Sequence, residues 1–248
     1  MLSLRNISKK FGDYQAVKPL SLEVEKGKTT VLIGQSGCGK STLLRLMTGL
    51  FSSDTGSVFL GEEEISDKNI LRLRQRMGYV IQDGGLFPHL TARDNVFLMA
   101  RYLGKNEKEL EVRLQELAKL TNLRPEALTQ FPSQLSGGQK QRVSLIRALM
   151  LDPDILILDE PMGALDPMIR SVLQNDLREI FRSLKKTVVM VTHDLAEAAY
   201  FGDTILLMKE GEVIQSGPYR ELFQNPKSEY VSKFIKAQRS HQLTDDQS

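Results

Sequence analysis

Apolar residues along this chain recur in two rhythms, and each change of rhythm marks an element. Residues 2–33 carry short runs, Leu2-Ser3-Leu4, Leu20-Ser21-Leu22-Glu23-Val24 and Thr29-Thr30-Val31-Leu32-Ile33, separated by turns such as Lys26-Gly27-Lys28. Strand formers bounded by turn residues predict an antiparallel sheet leading into one further strand. Next, Leu43, Leu46, Met47 and Leu50 fall at i, i+3, i+4 and i+7, the buried stripe of a helix. Gly49 lies near its end, and residues 52–56 form a turn cluster. Gly78-Tyr79-Val80-Ile81 reads as a buried strand stopping at Gln82.

From Thr91 to about Gln130 the period is helical, with Leu110, Leu114 and Leu117 on one face. This predicts a helical insertion between strands. Strand signals return at Ile155-Leu156-Ile157-Leu158 and Val188-Val189-Met190-Val191. Between them a helix is predicted with a stripe of Ile169, Val172, Leu173, Leu177, Ile180 and Leu184. Near-continuous apolar strands alternating with helices imply a parallel sheet covered on both faces. Ile205-Leu206-Leu207-Met208 and Val213-Ile214 flank a turn and read as a hairpin at the sheet's edge. Residues 241–248 are polar and are expected to be disordered.

Composition narrows the class. With 248 residues, 33 Lys plus Arg and 31 Asp plus Glu, the chain can build a sizeable core and carries a net charge of +2, too balanced to require nucleic acid or an anionic surface as partner. Arg72, Arg74 and Arg76 alternate with Leu71, Leu73 and Met77 and read as a solvated edge. Cys38 is the only cysteine, which excludes an intrachain disulfide and suits a reducing compartment. Residues 1–10 lack the apolar core of a signal peptide. Every apolar run is far shorter than the ~20 residues that span a bilayer, so work at a membrane requires another chain to cross it.

The chemistry begins after the strand at Ile33. Gly34-Gln35-Ser36-Gly37-Cys38-Gly39-Lys40-Ser41-Thr42 matches G-x-x-x-x-G-K-[ST], with a strand before it and a helix after it. Glycines let the backbone N–H groups approach phosphate oxygens, and the helix start adds its positive dipole. Lys40 reaches the β and γ phosphates, the Ser41 hydroxyl suits Mg²⁺, and Cys38 is a small residue of the loop. Asp159 and Glu160 stand at the C-terminal mouth of a buried strand, where open α/β sheets bind ligands. Asp159 suits Mg²⁺, and Glu160 suits polarising an attacking water. Thr192-His193 ends the next strand in the same way, which puts His193 in reach of a γ-phosphate. Leu135-Ser136-Gly137-Gly138-Gln139 opens a helix that Ser136 can cap, with the paired glycines leaving N–H groups exposed at a second positive helix end. Two anion sites in one chain motivate a head-to-tail dimer, the second site serving another copy's nucleotide. Phe11, before Gly12-Asp13-Tyr14, is either an adenine-stacking ring or a hairpin anchor, and spacing does not choose.

Taken in order, the phosphate loop, Gln82, Leu135-Ser136-Gly137-Gly138-Gln139, Asp159-Glu160, Ala164-Leu165-Asp166 and His193 make the chain similar to the ATP-binding subunits of ABC transporters, from about residue 2 to about 225. The resemblance implies a P-loop NTPase of the ABC type: a RecA-like parallel sheet core, an N-terminal antiparallel β-subdomain and an inserted helical subdomain. It implies one ATPase domain over 1–240, with β-subdomain and core in 1–82 and 151–217, the helical subdomain in 83–150 and C-terminal helices in 218–240. It implies ATP and Mg²⁺ as cofactors, a second copy bound head to tail, and a membrane permease driven from the cytoplasmic face of the inner plasma membrane, with a solute-binding protein in the same system.

By position, the resemblance gives Phe11 to adenine, and Ser136, Gly137, Gly138 and Gln139 to the nucleotide held by the opposing copy. Asp166 falls at the dimer contact and His193 at the switch position. Gln82 contacts Mg²⁺ and senses the permease, whose docking surface is Leu86-Phe87-Pro88-His89. One departure is Gly163, where the family commonly has serine. Met162-Gly163-Ala164-Leu165-Asp166-Pro167 and residues 80–89 most resemble importers of glycine betaine, choline and related osmoprotectants. Several of those ATPases carry C-terminal regulatory domains, and from the length of this chain none is expected in it. Amino-acid importers and export or lipid-transport subunits are the alternatives. Soluble ABC ATPases of DNA or ribosomes are disfavoured by the single phosphate loop and the short Gln82-to-Ser136 spacing.

Overall fold

In the computed structural model of the chain, the apolar runs and their punctuation resolve first into β1 (Leu2–Phe11), β2 (Tyr14–Val24), β3 (Thr29–Ile33), α1 (Lys40–Met47), β4 (Thr55–Leu60), β5 (Glu63–Glu64) and α2 (Ile70–Arg74). Then come β6 (Met77–Val80), α3 (Ala92–Tyr102), α4 (Glu107–Leu120), α5 (Gly137–Leu149), β7 (Ile155–Asp159) and α6 (Pro167–Leu184). The chain finishes with β8 (Thr187–Val191), α7 (Leu195–Phe201), β9 (Thr204–Lys209), β10 (Glu212–Gly217), α8 (Tyr219–Gln224) and α9 (Glu229–Asp245). The structure describes residues 1–163 and 167–245, with side chains described except at 167, 169 and 239–245. The chain divides into two compact units, Met1–Ile70 with Thr187–Ser248, and Leu71–Lys186.

In the first unit the strands form an antiparallel sheet of order β2-β1-β4-β5 and a mostly parallel set of order β10-β9-β3-β8. Register in the first sheet pairs Leu2 with Val24 and with Leu60. All three of these leucine and valine side chains are buried, so the apolar face rather than turn geometry sets the register. β3 lies parallel to both β8 and β9, with Val31 opposite Met190 and Ile205. β3 and β8 are buried at every residue, as strands covered on both faces must be. β9 and β10 form the expected edge hairpin.

Two expectations need correction in this unit. Leu50 is 49% exposed rather than part of the α1 stripe, because α1 stops at Met47 and Gly49 turns the chain with φ 64°. A Cβ at Gly49 would stand 2.5 Å from Ile70 Cδ1, so the turn is glycine-specific. At the far end, helical backbone of α9 runs to Asp245, into the stretch expected to be disordered. Helix elongation adds one hydrogen bond for each residue fixed, and Gln and Leu oppose it little.

The second unit pairs β6 with β7 in parallel, Gly78 opposite Leu156, and packs α5 on β6 and against α3. A Cβ at Gly78 would meet the Ala148 carbonyl at 2.5 Å, so glycine permits this close approach of strand and helix. Leu110, Leu114 and Leu117 are buried on α4, as the period predicts. On α6, Leu173, Leu177 and Ile180 are buried but Val172 is 55% exposed. One residue turns a helix by about 100°, which puts Val172 to one side of the buried line through Leu173, Leu177 and Ile180.

Candidate functional site

Each unit carries part of the predicted chemistry at the carboxyl ends of its parallel strands. In the first unit β3 ends at Ile33 and the chain enters the loop over 34–39, where Gly34, Gly37 and Gly39 have φ of 150°, 77° and 106°. A Cβ at Gly34 would stand 2.3 Å from the Met208 carbonyl oxygen, and one at Gly39 2.3 Å from that of Ala16. The loop is therefore wedged between β9 and β2 at two points where only glycine fits. Gln35, Ser36 and Gly37 at its tip are exposed, while Ser41 and Thr42 are half-buried in the first turn of α1. Gly39 caps α1 without any side-chain bond, which leaves the first N–H groups of that helix for an acceptor from outside.

Lys40 is 6% exposed, and its Nζ donates to the Gly34 and Gln35 carbonyls at 2.7 and 3.0 Å. A buried ammonium is thus aimed across the inside of the loop. Cys38 is buried beside it, its carbonyl accepting from the Gly211 N–H at 3.0 Å, which matches a packing role. Tyr14 was not singled out in the sequence, yet its hydroxyl donates to the Gly37 carbonyl at 2.7 Å and steadies the loop tip. Phe11 is 44% exposed, edge-on to Phe51 at 5.5 Å and beneath Lys9 Nζ at 5.6 Å.

His193 leaves the adjacent strand at the same level. Leu32 pairs with Val191, and the Thr192 N–H donates to the Leu32 carbonyl at 3.2 Å. His193 is exposed, but the peptide on either side of it is pinned. Thr192 Oγ1, buried, donates to Glu197 Oε2 at 2.5 Å and accepts from the Asp194 N–H at 3.1 Å. Asp194 caps α7 through the N–H groups of Ala196 and Glu197. Glu197, 4% exposed, was also missed in the sequence; a carboxylate on an amphipathic helix gives no hint that it is turned inward.

In the second unit Val80 pairs with Leu158, so Gln82 and Asp159-Glu160 follow neighbouring strand ends. Asp159 is buried, with the Tyr79 hydroxyl 3.5 Å from its Oδ2. Glu160 is half-buried and has φ 47°, a left-handed conformation that costs a residue with a Cβ about 1 kcal/mol. A Cβ on Gly163 would lie 3.4 Å from Glu160 Oε2, an ordinary contact.

Ser136 caps α5 in a capping box: its Oγ accepts from the Gln139 N–H at 3.3 Å, and Gln139 Oε1 accepts from the Ser136 N–H at 2.8 Å. The Gln139 side chain is therefore used within the helix start. Of the paired glycines only Gly137 is exposed; Gly138 is buried, which narrows the surface available to an anion. Asp166, with Ala164 and Leu165, lies outside the described residues.

The loop after Gln82 is held by residues that sequence reading did not find. Ser144 and Arg147 on α5 bind the carbonyls of Gly84 and Gly85. Asn95 on α3, fully buried, accepts from the Phe87 N–H at 2.7 Å and donates to the carbonyls of Phe87, Leu90 and Thr91 at 3.0–3.1 Å. Leaving a buried backbone group unpaired costs about 1–3 kcal/mol. Asn95→Ala is therefore expected to lower unfolding stability by about 3 kcal/mol, read as a lower denaturant midpoint.

Among known proteins, the family model described as ABC transporter matches residues 17–163. The chain is 40% identical over 247 residues to the glycine betaine/carnitine/choline transport ATP-binding protein OpuCA of Bacillus subtilis, covering 99% of this chain and 65% of that protein. It is 40% identical over 240 residues to the choline transport ATP-binding protein OpuBA of the same organism, covering 96% and 63%. The chain thus spans less than two thirds of the length of either relative. Among solved structures, the dimeric cassette MJ0796, described as a bacterial ABC transporter cassette, matches with TM-score 0.80 and 33% identity over 89% of this chain and 99% of that one.

Proposed function

Because the chain belongs to the ABC transporter family, we propose that it is the ATP-hydrolysing subunit of a membrane importer, acting as a head-to-tail pair of copies in the uptake of a quaternary amine such as glycine betaine or choline. The observation that carries this reading is the loop over 34–40, where glycine-only contacts, uncapped helix N–H groups and a buried Lys40 Nζ combine into a polyphosphate cradle. The dimeric form of MJ0796 supports the pairing, and a further structure of that cassette is described as a post-hydrolysis state bound to ADP and Pi.

On this reading Lys40 exchanges its two carbonyl acceptors for phosphate oxygens, and the N–H groups of the loop share the remaining charge. Phe11, the exposed ring at the end of β1, stacks on adenine. Glu160 takes the proton of the attacking water, and the exposed His193 imidazole hydrogen-bonds the γ-phosphate. Ser136 with Gly137 and Gly138 meets the γ-phosphate held by the other copy, and Asp166 is assigned to the dimer contact.

Mg²⁺, when bound, neutralises charge on the phosphate oxygens. Ser41, Gln82 and Asp159 offer hard oxygen donors suited to it. Among the described residues no three His, Cys, Asp or Glu side chains converge, so phosphate oxygens and water would complete the shell. Also among the described residues, no helix is long and apolar enough to cross a membrane. We place the protein on the cytoplasmic face of the inner membrane, docked on a permease through residues 82–89 and served by a solute-binding protein.

Co-purification with a permease that it binds, followed by phosphate release with each solute, tests the whole reading. Betaine or choline should stimulate hydrolysis; stimulation by an amino acid alone would refute the substrate assignment. A smaller effect concerns Gly163→Ser. Its Cβ fits in ordinary contact with Glu160, so unfolding stability should stay within about 0.5 kcal/mol of the parent, and thermal denaturation checks this.

A further inference from the structure

Three consecutive residues after Gln82 have left-handed backbone, Asp83 at φ 61°, Gly84 at 75° and Gly85 at 55°. Asp is one of the residue types that enter this region readily, and the two residues that follow Asp83 are held by α5. Ser144 Oγ and Arg147 Nη2 both donate to the Gly84 carbonyl at 2.8 Å, and Arg147 Nη1 donates to the Gly85 carbonyl at 2.9 Å. A Cβ at Gly84 would stand 2.5 Å from Ser144 Oγ, so glycine there lets the loop seat on the helix, and one at Gly85 would stand 2.3 Å from Ile81 Cδ1, within the approach to the loop itself.

Arg147 is an unusual choice for a tether. It is half-buried, and burial pushes its guanidinium below the ordinary value. Among the described residues it makes no ion pair, so carbonyl dipoles alone compensate the charge. A charge held in this way is strongly committed to its acceptors, because losing them leaves it buried and unpaired. The planar fork also fixes two successive carbonyls relative to one helix, which a single-point donor cannot do.

The other end of α5 is the capping box at Ser136, about 16 Å from Arg147 at ~1.5 Å rise per residue. A packed helix has no soft joint between those points. We propose that Ser144 and Arg147 are positioning residues that make the loop after Gln82 travel with the helix opened by Ser136-Gly137-Gly138, so that nucleotide arriving at that helix start is registered at residues 83–88. Asn95 passes the displacement on, since it holds Phe87 and Leu90 to the first turn of α3. This rests on the proposed contact between Ser136-Gly137-Gly138 and the other copy's ATP.

Amide hydrogen exchange on the full chain tests it, with and without the β,γ-imido analogue of ATP plus Mg²⁺. In the parent, the analogue should slow exchange at 136–141 and at 83–88 together. In the Ser144→Ala/Arg147→Ala double variant the response at 136–141 should persist while that at 83–88 is lost, and analogue-free exchange at 83–88 should rise about tenfold. An unchanged response at 83–88 overturns the proposal, and so does joint loss at both segments, the mark of a merely structural Arg147. Arg147→Lys, expected to halve the response at 83–88, keeps the test available if the double variant does not fold. Absence of any parent response at 136–141 would instead count against the head-to-tail reading. The tether would then stand or fall on the analogue-free rise at 83–88 alone.

Discussion

Glu160→Gln should bind ATP as the parent does and hydrolyse it about 10²–10⁴-fold more slowly, the span typical of losing a positioned general base. The amide preserves shape and the left-handed turn at φ 47°, so the backbone that aims the group is kept while the proton acceptor is removed. Filter binding and multiple-turnover phosphate release separate the two effects. Light scattering adds a third readout, since a pair that closes on ATP and cannot hydrolyse it should persist at twice the monomer mass. Turnover within threefold of the parent would remove Glu160 from the role of base.

Lys40→Ala acts one step earlier. It removes an ammonium that is 6% exposed and bound to the Gly34 and Gln35 carbonyls, and with it the cation that would meet the phosphates. Hydrogen bonds to charged groups contribute about 1.5–3 kcal/mol, so ATP affinity should fall about 10–100-fold. Calorimetric titration checks it. Lys40→Arg is expected to fail as well, because the bulkier planar head has no room where Nζ lies buried, and an affinity equal to the parent's would show that charge alone suffices.

The parts of the molecule legible in the sequence were those whose residue types are dictated by local backbone geometry. Glycines at 34 and 39 stand where a Cβ would strike a carbonyl at 2.3 Å, and such positions announce themselves by spacing. Buried parallel strands read as unbroken apolar runs, and helix faces as leucines three or four apart. Leu50 and Val172 misled because an apolar residue can match a period beyond a helix end or one step off its face. Tyr14, Asn95, Ser144, Arg147 and Glu197 were illegible for a different reason. Each is a common polar type on an amphipathic element, and for Tyr14, Ser144 and Arg147 the partner is a backbone carbonyl far away in sequence. Backbone acceptors carry no residue identity, so no pairwise pattern in the letters reveals them.

The chain's single thiol has a practical consequence. Cys38 is 6% exposed, hydrogen-bonded through its backbone at both ends, and lies with its Sγ 3.8 Å from Lys40 Nζ. A thiol reagent therefore has one place to act in this chain, and can act there only when the buried thiol becomes exposed. The alkylation rate of the unmodified protein thus reports how often that site is uncovered, and any labelling scheme using introduced cysteines must first replace Cys38 with a residue no larger than itself.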